Sequence, residues 1–223
     1  QTLVAQTIAP LQPDAKRQPG SAFKPFVLAT ALERGIPSSS VWPSKKLTVT
    51  VPGTRGKEKF VVNNYEDSYL GSASLATATT FSDNAVYVQV GMEAGLKRVA
   101  RTAEELGIRT PVSSNPAMTL GGLESGVTAL DMAHAYASLA SGGIRVSGTL
   151  GTAKNGPVGI RQVSLRDDKD RVLDENEPRK DRVLPAAVAA ETTRILGSVL
   201  TSGTARTANL GAGVPQWGKT GTT

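Results

Sequence analysis

Pro25 restricts the fold of this chain more than any other residue. It stands four residues after Ser21, inside a segment, Ser21 to Arg34, that otherwise reads as a helix. Proline lacks an N–H, and its ring clashes with the carbonyl four residues back. It fits only in the first helical turn, where N–H groups have no intrahelical partner anyway. The helix must therefore begin close to Ser21. Pro19-Gly20 breaks the chain ahead of it, and Gly35 and Pro37 stop it behind. Serine is favoured at such a start. Lys24 follows at a spacing of three, on the same face.

The rest of the chain is read the same way. Leu47 to Val51 alternates like a strand, and Phe60-Val61-Val62 returns beyond Pro52-Gly53 as a hairpin. Helices are expected over Leu75 to Phe81, over Leu96 to Leu106 (closed by Gly107), and over Thr128 to Leu139 (ended by Gly142-Gly143), while Ala85 to Val90 continues apolar after the polar break Ser82-Asp83-Asn84. Ile160 to Leu165 and Arg171 to Leu173 flank Asp167-Asp168-Lys169-Asp170 as an exposed hairpin. The charged stretch Asp174 to Arg182 reads as a solvated loop. Pro185 is expected at the first position of a helix reaching Leu200. The Gly-rich tail, Ala208 to Thr223, is expected to end in a strand at about 217–223.

Composition removes several kinds of chemistry. There is no cysteine, so thiol nucleophiles, disulfides and thiolate metal sites are absent. His134 is the only histidine, which rules out a His-pair metal site. It lies in an expected helix, where a lone histidine is normally a helix-face residue. Aromatics make up 4% of the chain, too few for a base-stacking surface. The net charge of +6 is spread along the chain and selects no partner, nucleic acid included. No run of about 18 apolar residues exists to span a bilayer, and no signal peptide is visible. No metal or cofactor is expected.

Three short patterns then occur in order: Ser21-Ala22-Phe23-Lys24, Ser82-Asp83-Asn84 and Lys219-Thr220-Gly221. Each alone is weak. A chain of this composition holds roughly one Ser-x-x-Lys by chance. Ser113-Ser114-Asn115 is a second Ser-x-Asn, set aside because Pro111 and Pro116 place it in an irregular loop. The ordered set carries more weight. A serine hydroxyl attacks poorly until a base takes its proton. A neutral lysine can be that base if burial and a second cation lower its pKa. Lys219 could be that cation, and the helix N-terminus favours negative charge at Ser21.

The set is that of class A β-lactamases and penicillin-binding proteins. Arg17-Gln18-Pro19-Gly20-Ser21-Ala22-Phe23-Lys24-Pro25-Phe26 closely resembles the nucleophile segment of bifunctional, class A penicillin-binding proteins. Trp217-Gly218-Lys219-Thr220-Gly221-Thr222-Thr223 resembles their third motif. Thr119-Leu120-Gly121-Gly122, with Val127 to Ala133, resembles the segment between motifs two and three. The resemblance runs from Lys16 onward. It implies a D,D-transpeptidase that cross-links peptidoglycan stem peptides through a Ser21 acyl-enzyme and is inhibited covalently by β-lactams. It implies that Ser82 relays a proton to the leaving amine and that Asn84 bonds the substrate's peptide amide. Thr220 and Thr222 would meet the terminal carboxylate of D-Ala-D-Ala, and Gly221 would let the extended peptide approach closely. The N–H groups of Ser21 and Thr222 would form an oxyanion hole.

Two rivals are set against this reading. Gly213 to Thr220 satisfies the P-loop pattern, but Pro215 removes a donor, Trp217 is bulky, and three residues are too few to begin the required helix. A serine β-lactamase shares the acylation step; the class A pattern Glu-x-x-Leu-Asn that drives deacylation is not found.

The resemblance also implies an α/β fold of the α+β type, with a helical subdomain on an antiparallel sheet. Residues 1–223 would make a truncated transpeptidase domain, lacking the C-terminal strands and helix. Gln1 and Thr223 read as cuts. The remaining strands are expected in a separate chain or segment, as is a sheet behind the nucleophile helix to cover Phe23, Val27 and Leu28. A glycosyltransferase domain and a membrane anchor upstream, and the extracytoplasmic face of a bacterial membrane as location, are implied by the family alone.

Overall fold

The computed structural model describes residues 15–150, 156–166, 171–211 and 213–222. Among these, six helices are α1 (Lys24–Glu33), α2 (Leu75–Thr80), α3 (Asn84–Ala94), α4 (Leu96–Leu106), α5 (Ala129–Ala140) and α6 (Ala186–Thr201). Their starts follow local chemistry. Ser74, Asp83 and Thr128 each accept a hydrogen bond from the backbone N–H three residues on, capping α2, α3 and α5. Pro185 is extended and caps α6 from outside, one residue short of the expected place.

The first helix forms the axis of the molecule. Every residue from Lys24 to Ala31 is buried. A helix apolar all round needs cover all round. The cover comes from α3, α4, α6 and the 3-10 turn Pro116–Leu120. The expected sheet behind it is replaced by this ring of helices. Phe23, Val27 and Leu28 are fully buried, as are Phe26, Val86 and Tyr87 around them. Burying a large apolar side chain of this kind stabilises the fold by about 1.5–3 kcal/mol. By contrast α4 is one-sided: Leu96, Val99, Ala103 and Leu106 face inward at helical spacing.

The strands form five antiparallel pairs. They are β1 (Lys16–Arg17) with β6 (Val127–Thr128), β2 (Val41–Ser44) with β5 (Gly71–Ser74), β3 (Leu47–Thr50) with β4 (Lys59–Val62), β7 (Ile144–Ser147) with β10 (Arg179–Arg182), and β8 (Gln162–Ser164) with β9 (Val172–Glu175). The fold is thus mixed helix and antiparallel strand, and its sheets are small and incomplete. The hairpins expected at 47–62 and around 160–173 are present; the turn at 167–170 lies outside the described residues.

One expectation is corrected. The charged stretch Asp174 to Arg182 is not a loop, for it completes β9 and supplies all of β10. Hydropathy hides β10 because its side chains face solvent while its backbone pairs with β7. Directly opposite residues Asp181 and Arg145 form an ion pair of 3.1 Å, the cross-strand match that a charged edge permits.

Residues 217–222 pair with no strand among the described residues, and Thr223 lies outside them. The strands of the five pairs bond to one another, so the expected strand finds no ladder among the described residues.

Candidate active site

Ser21 stands in a 3-10 turn, Gly20–Phe23, that runs directly into α1. Pro19 occupies the cap position, so Ser21 is not spent on capping, and its Oγ has no hydrogen bond among the described residues. The turn is tied down before and after. Gln18 Nε2 donates to Leu123 O at 2.6 Å, while its Oε1 accepts from Leu123 N at 2.7 Å. Tyr136 Oη donates to Ala22 O at 2.8 Å.

Lys24, one turn on, is fully buried. Its Nζ donates to Ser82 O at 2.7 Å, Asn84 Oδ1 at 2.7 Å and Ser82 Oγ at 3.1 Å. The Tyr87 ring centroid lies 5.0 Å from the same nitrogen. Burial pulls its ammonium well below the ordinary lysine range, Lys219 presses in the same direction, and Asp83 opposes both. Residues about 60 apart in sequence therefore meet at one amine.

The second motif is a strained turn between α2 and α3. Ser82 has φ +59, a left-handed backbone that a non-glycine residue adopts only when its surroundings force it. That geometry turns its carbonyl toward Lys24. Asp83 is buried; it caps Val86 N and accepts from Ser44 Oγ and Asn64 Nδ2. Asn84 uses Oδ1 for Lys24 and one Nδ2 hydrogen for Asn63 O, leaving a single amide hydrogen free.

The third motif lies against the Ser21 turn by backbone contact. Gly20 has φ +52, and a methyl group there would overlap the Thr222 carbonyl. A Cβ on Gly221 would come within 2.9 Å of Pro19 O. Lys219 is half-buried, which lowers its pKa to about 8. Its Nζ reaches Thr220 Oγ1 at 3.1 Å, and that hydroxyl shares a 2.7 Å hydrogen bond with Thr204 Oγ1. Trp217, two residues ahead, stacks on Tyr136 with ring centroids 5.8 Å apart.

Lys24, Ser82 and Asn84 thus meet at one amine, Lys219 with Thr220 lies close enough to act on it, and the backbone of Gly221 and Thr222 abuts Pro19 and Gly20 beside Ser21. The remaining candidates stay apart. His134 bonds to Val146 O, linking α5 to β7. Asn115 caps its own 3-10 turn through Met118 N. Sequence reasoning missed Tyr87, Tyr136 and Asn64. The Asn63-Asn64 pair after a strand is a turn signal, but nothing local says which turn it would grip.

The penicillin binding protein transpeptidase domain family matches residues 13–223. Penicillin-binding protein 1A of Neisseria gonorrhoeae is 31% identical over 216 residues, which cover 94% of this chain and 25% of that protein. The chain thus spans about a quarter of the length of such relatives. Among solved structures, the D,D-transpeptidase domain of a peptidoglycan glycosyltransferase from Eggerthella lenta aligns with TM-score 0.74 at 23% identity, over 99% of this chain and 59% of that one. The PonA1 protein of Mycobacterium tuberculosis in complex with penicillin V aligns with TM-score 0.67 at 26% identity, over 84% and 48%.

Proposed function

Because the chain belongs to the penicillin-binding protein transpeptidase family, we propose that it carries the acylation site of a D,D-transpeptidase, with Ser21 as nucleophile. The observation that carries this reading is Lys24: a buried lysine, biased toward its neutral form, one turn from a free serine hydroxyl and bonded to the second motif.

The chemistry follows from the geometry. Neutral Lys24 has two N–H groups and one lone pair. The two short bonds, to Ser82 O and Asn84 Oδ1, use the N–H groups. The lone pair is then available to take the Ser21 hydroxyl proton as Oγ attacks the penultimate D-alanine carbonyl. The N–H groups of Ser21 and Thr222 receive the developing oxyanion. The C–N bond breaks, a proton passes through Ser82 to the departing D-alanine amine, and a Ser21 ester remains. An amine of a second stem peptide attacks that ester, and the proton it sheds restores Ser21. Lys219, Thr220 and Thr222 hold the substrate carboxylate, Gly221 lets the peptide backbone close in, and the free Asn84 amide hydrogen meets the peptide carbonyl. A β-lactam enters the same path and stops at the ester. The working location is the extracytoplasmic face of a bacterial membrane, where stem peptides are cross-linked. Among the described residues no helix is long and apolar enough to cross a membrane.

Incubation with benzylpenicillin followed by peptide mapping tests this. One adduct on Ser21 is expected, and Lys24→Ala should lower its rate by about 10²- to 10⁴-fold, the range for losing a general base. An adduct elsewhere with Ser21 free would sink the reading. Rapid turnover of nitrocefin would reassign the site to β-lactam hydrolysis.

A further inference from the structure

Asn64 lies outside the three motifs, in the connection after β4, yet its side chain bonds twice to the second motif and once to Ala85 just beyond it. Its Oδ1 accepts from Asn84 N at 2.8 Å and Ala85 N at 3.0 Å; its Nδ2 donates to Asp83 Oδ2 at 2.8 Å and to Ser68 O at 2.9 Å. That uses the full capacity of an amide. The first two partners are N–H groups at the start of α3, which no intrahelical carbonyl can reach. Next to it, Asn63 O accepts from Asn84 Nδ2. Residues 63 and 64 therefore grip Asn84 by main chain and side chain together. Its other side-chain atom, Oδ1, is the one that faces Lys24. The left-handed Ser82 immediately precedes this gripped segment and needs such an over-determined neighbour to persist.

We propose that Asn64 is a positioning residue for the acylation assigned above, holding Ser82-Asp83-Asn84 so that the Ser82 carbonyl and the Asn84 amide oxygen both face the Lys24 amine. The inference rests on that functional reading. The charged and titratable groups around the amine are Lys219 from the C-terminal segment, Asp83 from the turn and the Tyr87 ring from α3; Asp67 and Tyr69 are on the connection that carries Asn64.

Two variants of the full chain test it, with two readouts. Asn64→Ala removes the grip and is expected to slow Ser21 acylation by benzylpenicillin about 10- to 100-fold, the cost of a misplaced catalytic group. Asn64→Asp keeps the acceptor for Asn84 N and Ala85 N but sets a second carboxylate against Asp83. Added negative charge favours the Lys24 ammonium, so the Lys24 titration, followed by NMR without β-lactam, should move up by about one pH unit. The rise of acylation with pH should move with it. A purely structural residue would lower the melting temperature of both variants and leave the Ser21 acylation rate of the folded variants close to wild type, and that result overturns the proposal. Should Asn64→Ala fail to fold, the acylation rate of Asn64→Asp at a pH on its plateau decides, since that variant replaces the donor to Asp83 with a second carboxylate. Wild-type protein that is not acylated at Ser21 sinks the functional reading and the proposal with it, whereas acylated wild type with no loss in either variant sinks the proposal alone.

Discussion

The turn carrying Ser21 and the segment carrying Lys219 touch each other, yet they are held by different means. The first is continuous with α1, whose residues from Lys24 to Ala31 are buried among helices. The second has no ladder among the described residues and leans on the turn through Gly20, Gly221 and the Trp217–Tyr136 stack. The two lysines differ accordingly. Lys24 is sealed in and bonded three times to the second motif, while Lys219 is half-buried and reaches only Thr220, next to it in the chain. Burial lowers the pKa of both amines: that of Lys24 falls well below the ordinary lysine range, with Lys219 adding to the shift, and that of Lys219 falls to about 8. The proposed reaction asks Lys24 to act as the base and Lys219 as the cation beside it.

Three experiments press on this difference. Gly20→Ala should do most damage, since the new methyl group overlaps the Thr222 carbonyl and the backbone there is left-handed. The segment must move off Ser21, and acylation should fall about 100-fold, as expected for displacement near the reacting centre. The helical core should remain, so circular dichroism should change little; unchanged acylation would mean that the contact is dispensable.

A smaller effect is expected at Tyr136, which bonds the turn and stacks under the tail. Tyr136→Phe keeps the ring and deletes one hydrogen bond, worth about 0.5–1.5 kcal/mol. Acylation should fall only a few-fold, while Tyr136→Ala should approach the Gly20 variant. Equal losses in both variants would show that the ring stack contributes nothing.

The mildest effect concerns stability. Unfolded, Lys219 keeps its proton to pH 10.5; folded, burial makes it release the proton near 8. Between those values the unfolded state binds more protons, so stability should rise with pH across that window. Lys219→Met should flatten part of the rise in denaturant midpoint. A slope identical to wild type would mean that Lys219 is solvated in the folded chain.

Much of this was legible beforehand because it is local. Caps and stops located α2, α4, α5 and α6 within a residue or two and Pro25 located α1, while the apolar run Ala85 to Val90 stopped four residues short of the end of α3. The charged strand Arg179–Arg182 was not legible, because what makes it a strand is the backbone of β7 more than thirty residues earlier. The cover over α1 was misjudged for a similar reason: its apolar surface asks to be buried but does not say whether sheet or helix will do it. Around the candidate site, the residue types were readable and their connections were not. Nothing near Asn64 in sequence announces Asp83, and nothing near Ser82 announces its left-handed backbone.

The burial of α1 has a consequence for how the site can be approached. Amides of a helix enclosed on every side exchange with solvent only when the whole domain opens. Ser21 is fixed to the head of that slowest-exchanging unit. Adjustment to an incoming ligand therefore falls to the other wall, residues 216–222, and differences in inhibitor arrival among variants should track the opening of that wall rather than any motion of the serine.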